Sequence, residues 1–185
     1  GMALGLLFTG IASFYEKLGW HARPLRQFAL RRTPAAKGAP GREFCNSDLP
    51  RVMELYARYC KHRDGTTLRD ERYWQANLRY AGSPEQEFRL LEPGGELAAY
   101  VRTTRLSGFD ALMEYAVRPG HEEALAALVT DHVPEDGVLL ARIHPDAELE
   151  RALARAGVSR DDRREPGSAQ RVPARPRPDH PLDRL

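Results

Sequence analysis

Residues 13–20 read Ser13-Phe14-Tyr15-Glu16-Lys17-Leu18-Gly19-Trp20. A serine ahead and a glycine behind bracket about a turn and a half of helix, the start and stop signals of a short helical element. Upstream, Leu4 to Thr9 is an apolar run closed by Gly10, the length of a buried strand. Downstream, Trp20 to Leu30 reads as extended, with Trp20, Ala22, Phe28 and Leu30 sharing one parity on either side of Pro24. The octapeptide is therefore the centre of a strand–helix–strand unit covering residues 1–32. Residues 33–42 follow, made of Pro, Gly, Ala and Lys between Thr33 and Arg42, and predict a linker open to proteolytic nicking.

Beyond the linker the periodicity is clearer. Leu49, Val52, Met53, Tyr56, Tyr59 and Cys60 recur at three and four residues after Ser47-Asp48, one apolar stripe of an amphipathic helix. A second helix is expected from Asp70 to Tyr80, with Tyr73 and Trp74 in the core. Glu87–Glu92 and Glu96–Arg105 read as strands joined across Pro93-Gly94-Gly95. Ala111–Val117 is a third strand, with Leu112, Glu114 and Ala116 on one face and Met113, Tyr115 and Val117 on the other. Gly120–Val133 predicts a helix, Val138–Ile143 a fourth strand, and Asp146–Ala156 a short helix ended by Gly157. Hairpin strands followed by a strand–helix–strand crossover give an α/β fold, a mixed sheet flanked by helices. From Ser159 onward five prolines and seven arginines interrupt any apolar pattern, and residues 159–185 are expected to be a disordered Pro/Arg-rich tail.

The bulk numbers narrow the functions. A hydrophobic fraction of 42% with 29% charged residues suits an ordinary globular protein. Net charge is +2, and the last 27 residues already carry seven Arg against five acidic groups, so the body is neutral. A neutral body gives no electrostatic reason to expect nucleic acid or an anionic membrane as partner. Two cysteines, Cys45 and Cys60, make no disulfide framework, and no secretory leader is legible; a cytoplasmic location with reduced thiols is expected. His121-Glu122-Glu123 lacks a second histidine at metal-ligand spacing, so no metal site is expected.

The segment Ser13–Trp20, with a strand before it and another after, closely resembles the late helix of GNAT-superfamily acetyltransferases. Arg42-Glu43-Phe44 leading into Ser47-Asp48-Leu49 looks like the opening of a second domain of the same type. The element order of residues 43–158 is also the GNAT order. The whole resembles the enhanced-intracellular-survival-type branch, in which two GNAT-like domains stand in tandem. On that resemblance the chain is an incomplete, truncated member. Residues 1–32 are the C-terminal remnant of a first, catalytic-type domain, and residues 43–158 form a second GNAT-like domain after the linker.

The resemblance implies transfer of an acetyl group from acetyl-CoA to an amine of a small molecule or protein. It also implies a role for Tyr15, the position that in many family members protonates the departing thiolate. A phenol is protonated at neutral pH and can donate as the thiolate leaves. Two departures stand against direct transfer of cofactor contacts. Family members often carry Asn seven residues before this tyrosine, where this chain has Phe8. The family binds the CoA pyrophosphate with backbone N–H groups of a glycine-rich loop at a helix N-terminus. The equivalent stretch here is Arg118-Pro119-Gly120-His121-Glu122-Glu123-Ala124, with one glycine, a proline that removes a donor, and two glutamates. The first domain's loop does not occur in residues 1–32. Two functions remain open: an acetyltransferase fragment inactive alone, or a non-catalytic GNAT-like binding module. Because the strands of residues 1–32 would lack sheet partners, self-association through that segment is a further expectation.

Overall fold

The computed structural model describes residues 12–21, 26–63, 66–80, 82–106, 108–141 and 146–164. The chain divides into two compact units, residues 28–162 and residues 1–27 with 163–185. In the smaller unit, helix α1 (Ala12–Glu16) ends in a turn to Gly19, where the Leu18 and Trp20 N–H groups both donate to the Tyr15 carbonyl at 2.9 and 3.2 Å. The apolar run Leu4–Thr9 lies outside the described residues.

The larger unit is a mixed sheet between helices. Its strands are β1 (Arg26–Arg32), β2 (Arg42–Glu43), β3 (Phe88–Leu91), β4 (Ala99–Leu106), β5 (Phe109–Val117), β6 (Leu139–Ala141) and β7 (Val158–Arg164), in the spatial order β2-β3-β4-β5-β6-β1-β7. Strands β2 to β5 form an antiparallel meander, and β5 pairs parallel with β6, Asp110 to Leu112 against Leu139 to Ala141. The helices are α2 (Leu49–Cys60), α3 (Glu71–Tyr80), the single turn α4 (Pro84–Glu87), α5 (Glu122–His132) and α6 (Ala147–Arg155). One buried cluster joins α5 and α6 to the sheet through Leu125, Leu128, Val129, Leu149 and Leu153. The other joins α2 and α3 to Phe88, Leu90 and Tyr100. Helices on both faces of a mixed sheet are the architecture expected from the element order.

Three expectations change. Strand β1, read as belonging to a first domain, is hydrogen-bonded antiparallel to β6, with Phe28 opposite Ala141 and Leu30 opposite Leu139. Its Phe28 and Leu30 are 2% and 0% exposed within the α5/α6 cluster. Alternation shows that a segment is a strand, not which sheet accepts it. Second, residues 33–41 form a packed strap rather than a free linker. Thr33 N–H donates to the Gly157 carbonyl (2.9 Å) and Ala39 N–H to the Ala127 carbonyl of α5 (3.1 Å). A Cβ on Gly38 would stand 2.4 Å from the Asp131 backbone nitrogen, so the strap lies directly on the helix only because residue 38 has no side chain. Third, the tail begins as structure: Val158–Arg164 is β7, and its charged sequence suits the end position in the sheet order. Residues 165–185 lie outside the described residues.

The strap ends in an ionic knot. Arg42 donates to both carboxylate oxygens of buried Asp48 (2.5 and 2.7 Å) and to Glu92 (2.6 and 3.0 Å), while Arg51 pairs with Glu92. The Cys45 N–H also donates to Asp48 (2.9 Å). The Arg42 guanidinium holds the Asp48 carboxyl well below the usual carboxylate range, against the cost of burial. This knot ties β2, the start of α2 and the end of β3 together.

Candidate functional site

Open α/β sheets hold ligands at the carboxyl ends of their parallel strands. Here that place is where β5 runs on beyond its pairing with β6 toward the Arg118-Pro119-Gly120 turn and the head of α5. A β-bulge lies on the way. Arg102 of β4 pairs with Glu114, but Thr103 pairs with Leu112, leaving Met113 as the extra residue. The bulge shifts the strand's parity by one. Leu112 joins Tyr115 and Val117 in the α5/α6 cluster, while Ala116 faces the α2/α3 cluster. The uninterrupted alternation expected for Ala111–Val117 is thereby corrected.

The chain's own side chains crowd the end of this strand pair. Tyr115 packs against Tyr59 of α2, with ring centroids 5.6 Å apart. The Arg63 guanidinium lies 3.7 Å over the Tyr59 ring and pairs with Asp146. Asp146 in turn caps α6, accepting from the Glu148 and Leu149 N–H groups at 3.1 and 3.3 Å. Burial pushes the Tyr115 phenol above its ordinary value, reinforced by the adjacent Tyr59 hydroxyl. Among the described residues neither hydroxyl has a hydrogen-bond partner that satisfies normal geometry.

The head of α5 is where the resemblance would seat a pyrophosphate. The Glu122 carboxylate folds back to accept the Gly120 N–H at 3.1 Å. One of the amides an anion would need is thus taken by the chain's own anion. Pro119 supplies no donor. The adjoining cavity, about 480 Å³, is lined by Gly120, Glu122, Glu123, Glu148, Arg151 and Arg155, and Arg155 is engaged with Glu123 (2.7 Å). Three carboxylates against two guanidiniums disfavour a pyrophosphate, and the residues at this helix head do not fit CoA.

Tyr15, the candidate catalytic residue, lies in the smaller unit. It is half-buried, with edge-to-face contacts to Phe14 (5.1 Å) and Trp20 (6.2 Å). His121 is the N-cap residue of α5 without a side-chain cap bond. Among the described residues no group of three or more His, Cys, Asp or Glu could hold a metal ion, and no helix is long and apolar enough to cross a membrane. Sequence reading placed Tyr73 in the core, yet it is 41% exposed. It passed over Arg69 and Glu114, although a glutamate inside the apolar run Ala111–Val117 was the available signal that a buried partner exists.

No protein-family model and no curated protein sequence matches the chain. Solved structures do. A probable N-acyltransferase from Enterococcus faecalis V583 superposes with a TM-score of 0.61 at 16% identity over 93% of this chain and 45% of its own. A GCN5-related N-acetyltransferase from Sphaerobacter thermophilus gives 0.53 at 16% identity, over 91% of this chain and 57% of its own. Another from Kribbella flavida gives 0.51 at 15% identity, over 92% and 42%. The fold is shared with these structures, and the chain spans about half the length of each.

Proposed function

We propose that this chain is part of an acetyl-CoA-dependent N-acetyltransferase in which the domain built on residues 43–158, completed by β1, is non-catalytic. The observation that carries this reading is the Glu122 carboxylate on the Gly120 N–H, which occupies the helix head with the chain's own negative charge. Catalysis then belongs with the segment around Tyr15 and the remainder of a first domain, and Tyr15 supplies a proton from its hydroxyl. The acceptor is an amine of a small molecule or protein, and the co-substrate and unbridged cysteines favour the cytoplasm. The runner-up is a GNAT-like binding module with no acetyl transfer at all. The closed helix head suits it equally, so activity must separate the two.

The test has two arms. Calorimetric titration of this chain with acetyl-CoA should give no saturable heat, and stoichiometric binding would sink the non-catalytic reading. In a longer protein containing this chain, acetyl transfer to amines should be measurable and should fall on Tyr15→Phe substitution. Absence of any transfer there would favour the binding module.

A further inference from the structure

Four residues from rigid elements enclose the Arg69 side chain, which comes from the loop between α2 and α3. The Arg69 guanidinium carbon lies 4.2 Å from the Tyr56 ring centroid, 4.8 Å from Trp74 and 5.5 Å from Tyr73. Tyr56 and Trp74 stand nearly perpendicular at 5.4 Å and form a corner. The fourth wall is Glu114, whose Oε2 is 2.5 Å from Arg69 Nη1 and whose Oε1 accepts the Tyr100 hydroxyl at 2.6 Å. The bulge at Met113 puts Glu114 on this face. Three aromatic faces and one oriented carboxylate are the construction that binds organic cations, because ring quadrupoles and a fixed anion attract a weakly hydrated positive head.

The walls and their occupant differ in kind. Tyr56, Tyr73 and Trp74 are held by helices, Tyr100 and Glu114 by paired strands, so the cage is preorganised. Arg69 belongs to no helix or strand, and among the described residues its buried Nε has no hydrogen-bond acceptor. Tyr73, the outermost ring, is partly exposed and also lines a surface cavity of about 400 Å³ with Ala76, Asn77, Tyr80 and Arg102.

We propose that the Tyr56–Tyr73–Trp74–Glu114 cage is a binding site for a small organic cation, a guanidinium or alkylammonium head, which Arg69 fills from within the chain in this conformation. A ligand enters when the Arg69 side chain swings outward, so apparent affinity is reduced by the fraction of time the cage is closed.

The probe is guanidinium at millimolar concentration, below its denaturing range, with urea as the neutral planar control and sodium chloride to match ionic strength. The full chain carries Trp20→Phe, so that Trp74 alone reports by fluorescence. In Arg69→Ala, guanidinium should shift the Trp74 emission saturably and raise the melting temperature, whereas urea does neither. Adding Tyr73→Ala should weaken the response about tenfold. Unsubstituted at position 69, the chain should respond in the same sense at concentrations roughly tenfold higher or more. The proposal is overturned if folded Arg69→Ala shows no saturable response, or if Arg69→Ala/Glu114→Gln responds equally well. It is equally overturned if the chain with Arg69 intact never responds. Should Arg69→Ala fail to fold, recovery of folding by guanidinium supports the site, and failure to recover marks Arg69 as a structural strut and ends it.

Discussion

Replacing Gly38 by alanine tests the strap where its geometry is tightest. An alanine Cβ there would lie 2.4, 2.5 and 2.6 Å from the nitrogen, Cα and Cβ of Asp131. Ordinary contact is about 3.5–4 Å, so the strap or the end of α5 must move by about 1 Å. The obstacle is mostly helix backbone, which cannot rotate aside as a side chain can. Overpacking of this kind costs about 1–3 kcal/mol. Lifting the strap also strains the Ala39 N–H to Ala127 carbonyl bond, worth about 0.5–1.5 kcal/mol. Against these stands a gain of about 0.4–1 kcal/mol from the stiffer unfolded chain. The net loss is about 1–3 kcal/mol, several degrees of melting temperature for a domain of this size. Urea denaturation of Gly38→Ala beside Lys37→Ala measures it, since the exposed Lys37 side chain should change stability by less than about 0.5 kcal/mol. Gly38→Ala as stable as the parent would show that residues 33–41 are the free linker their composition suggests. Limited proteolysis would then cut between Thr33 and Arg42, where the packed strap should resist.

Other outcomes follow from the same packing. Leu30→Ala should cost about 2–5 kcal/mol in urea melts, and removal of residues 1–32 should abolish cooperative unfolding; a well-folded deletion would place β1 outside the core. Because the Asp48 carboxyl is held low in the folded state, its contribution is present above the unfolded carboxylate value of about 3.9 and disappears as pH falls toward the folded one. Asp48→Asn should therefore lower stability at pH 7 by about 1–3 kcal/mol and flatten the loss of stability between pH 5 and the acid limit, read from melts across that range. An unchanged acid profile would remove Asp48 from the knot's energetics. The acetyl-CoA titration and the guanidinium titration described above complete the set.

Several features were legible because they depend on near neighbours in the chain. Ser13 to Gly19 spells a short helix, and α1 with its turn at Gly19 lies there. The stripe from Leu49 to Cys60 spells α2, and Pro93-Gly94-Gly95 marks the turn between β3 and β4. Such signals are periodicities and backbone preferences, which need no knowledge of what lies across the fold. The acidic head of α5 was also readable, since Glu122 stands two residues from the Gly120 amide it occupies.

Tertiary structure alone decided the rest. Phe28 and Leu30 announce a strand, but only the slot between β6 and β7 assigns it to this sheet. The Pro, Gly and Ala of residues 33–41 could equally be a flexible linker, until α5 lies close enough to make the small side chains a packing requirement. Met113 carries no mark of a bulge; its extra position arises from how β5 meets β4, and it reverses the facing of every residue beyond it. Arg69 looks like a solvated charge before a helix, and becomes a caged one only where Tyr56, Trp74 and Glu114, up to 45 residues away in sequence, converge on it. Periodicity fixes what each segment is, whereas burial of its apolar face and pairing of its polar groups fix what it touches, and those are satisfied only by the whole chain at once.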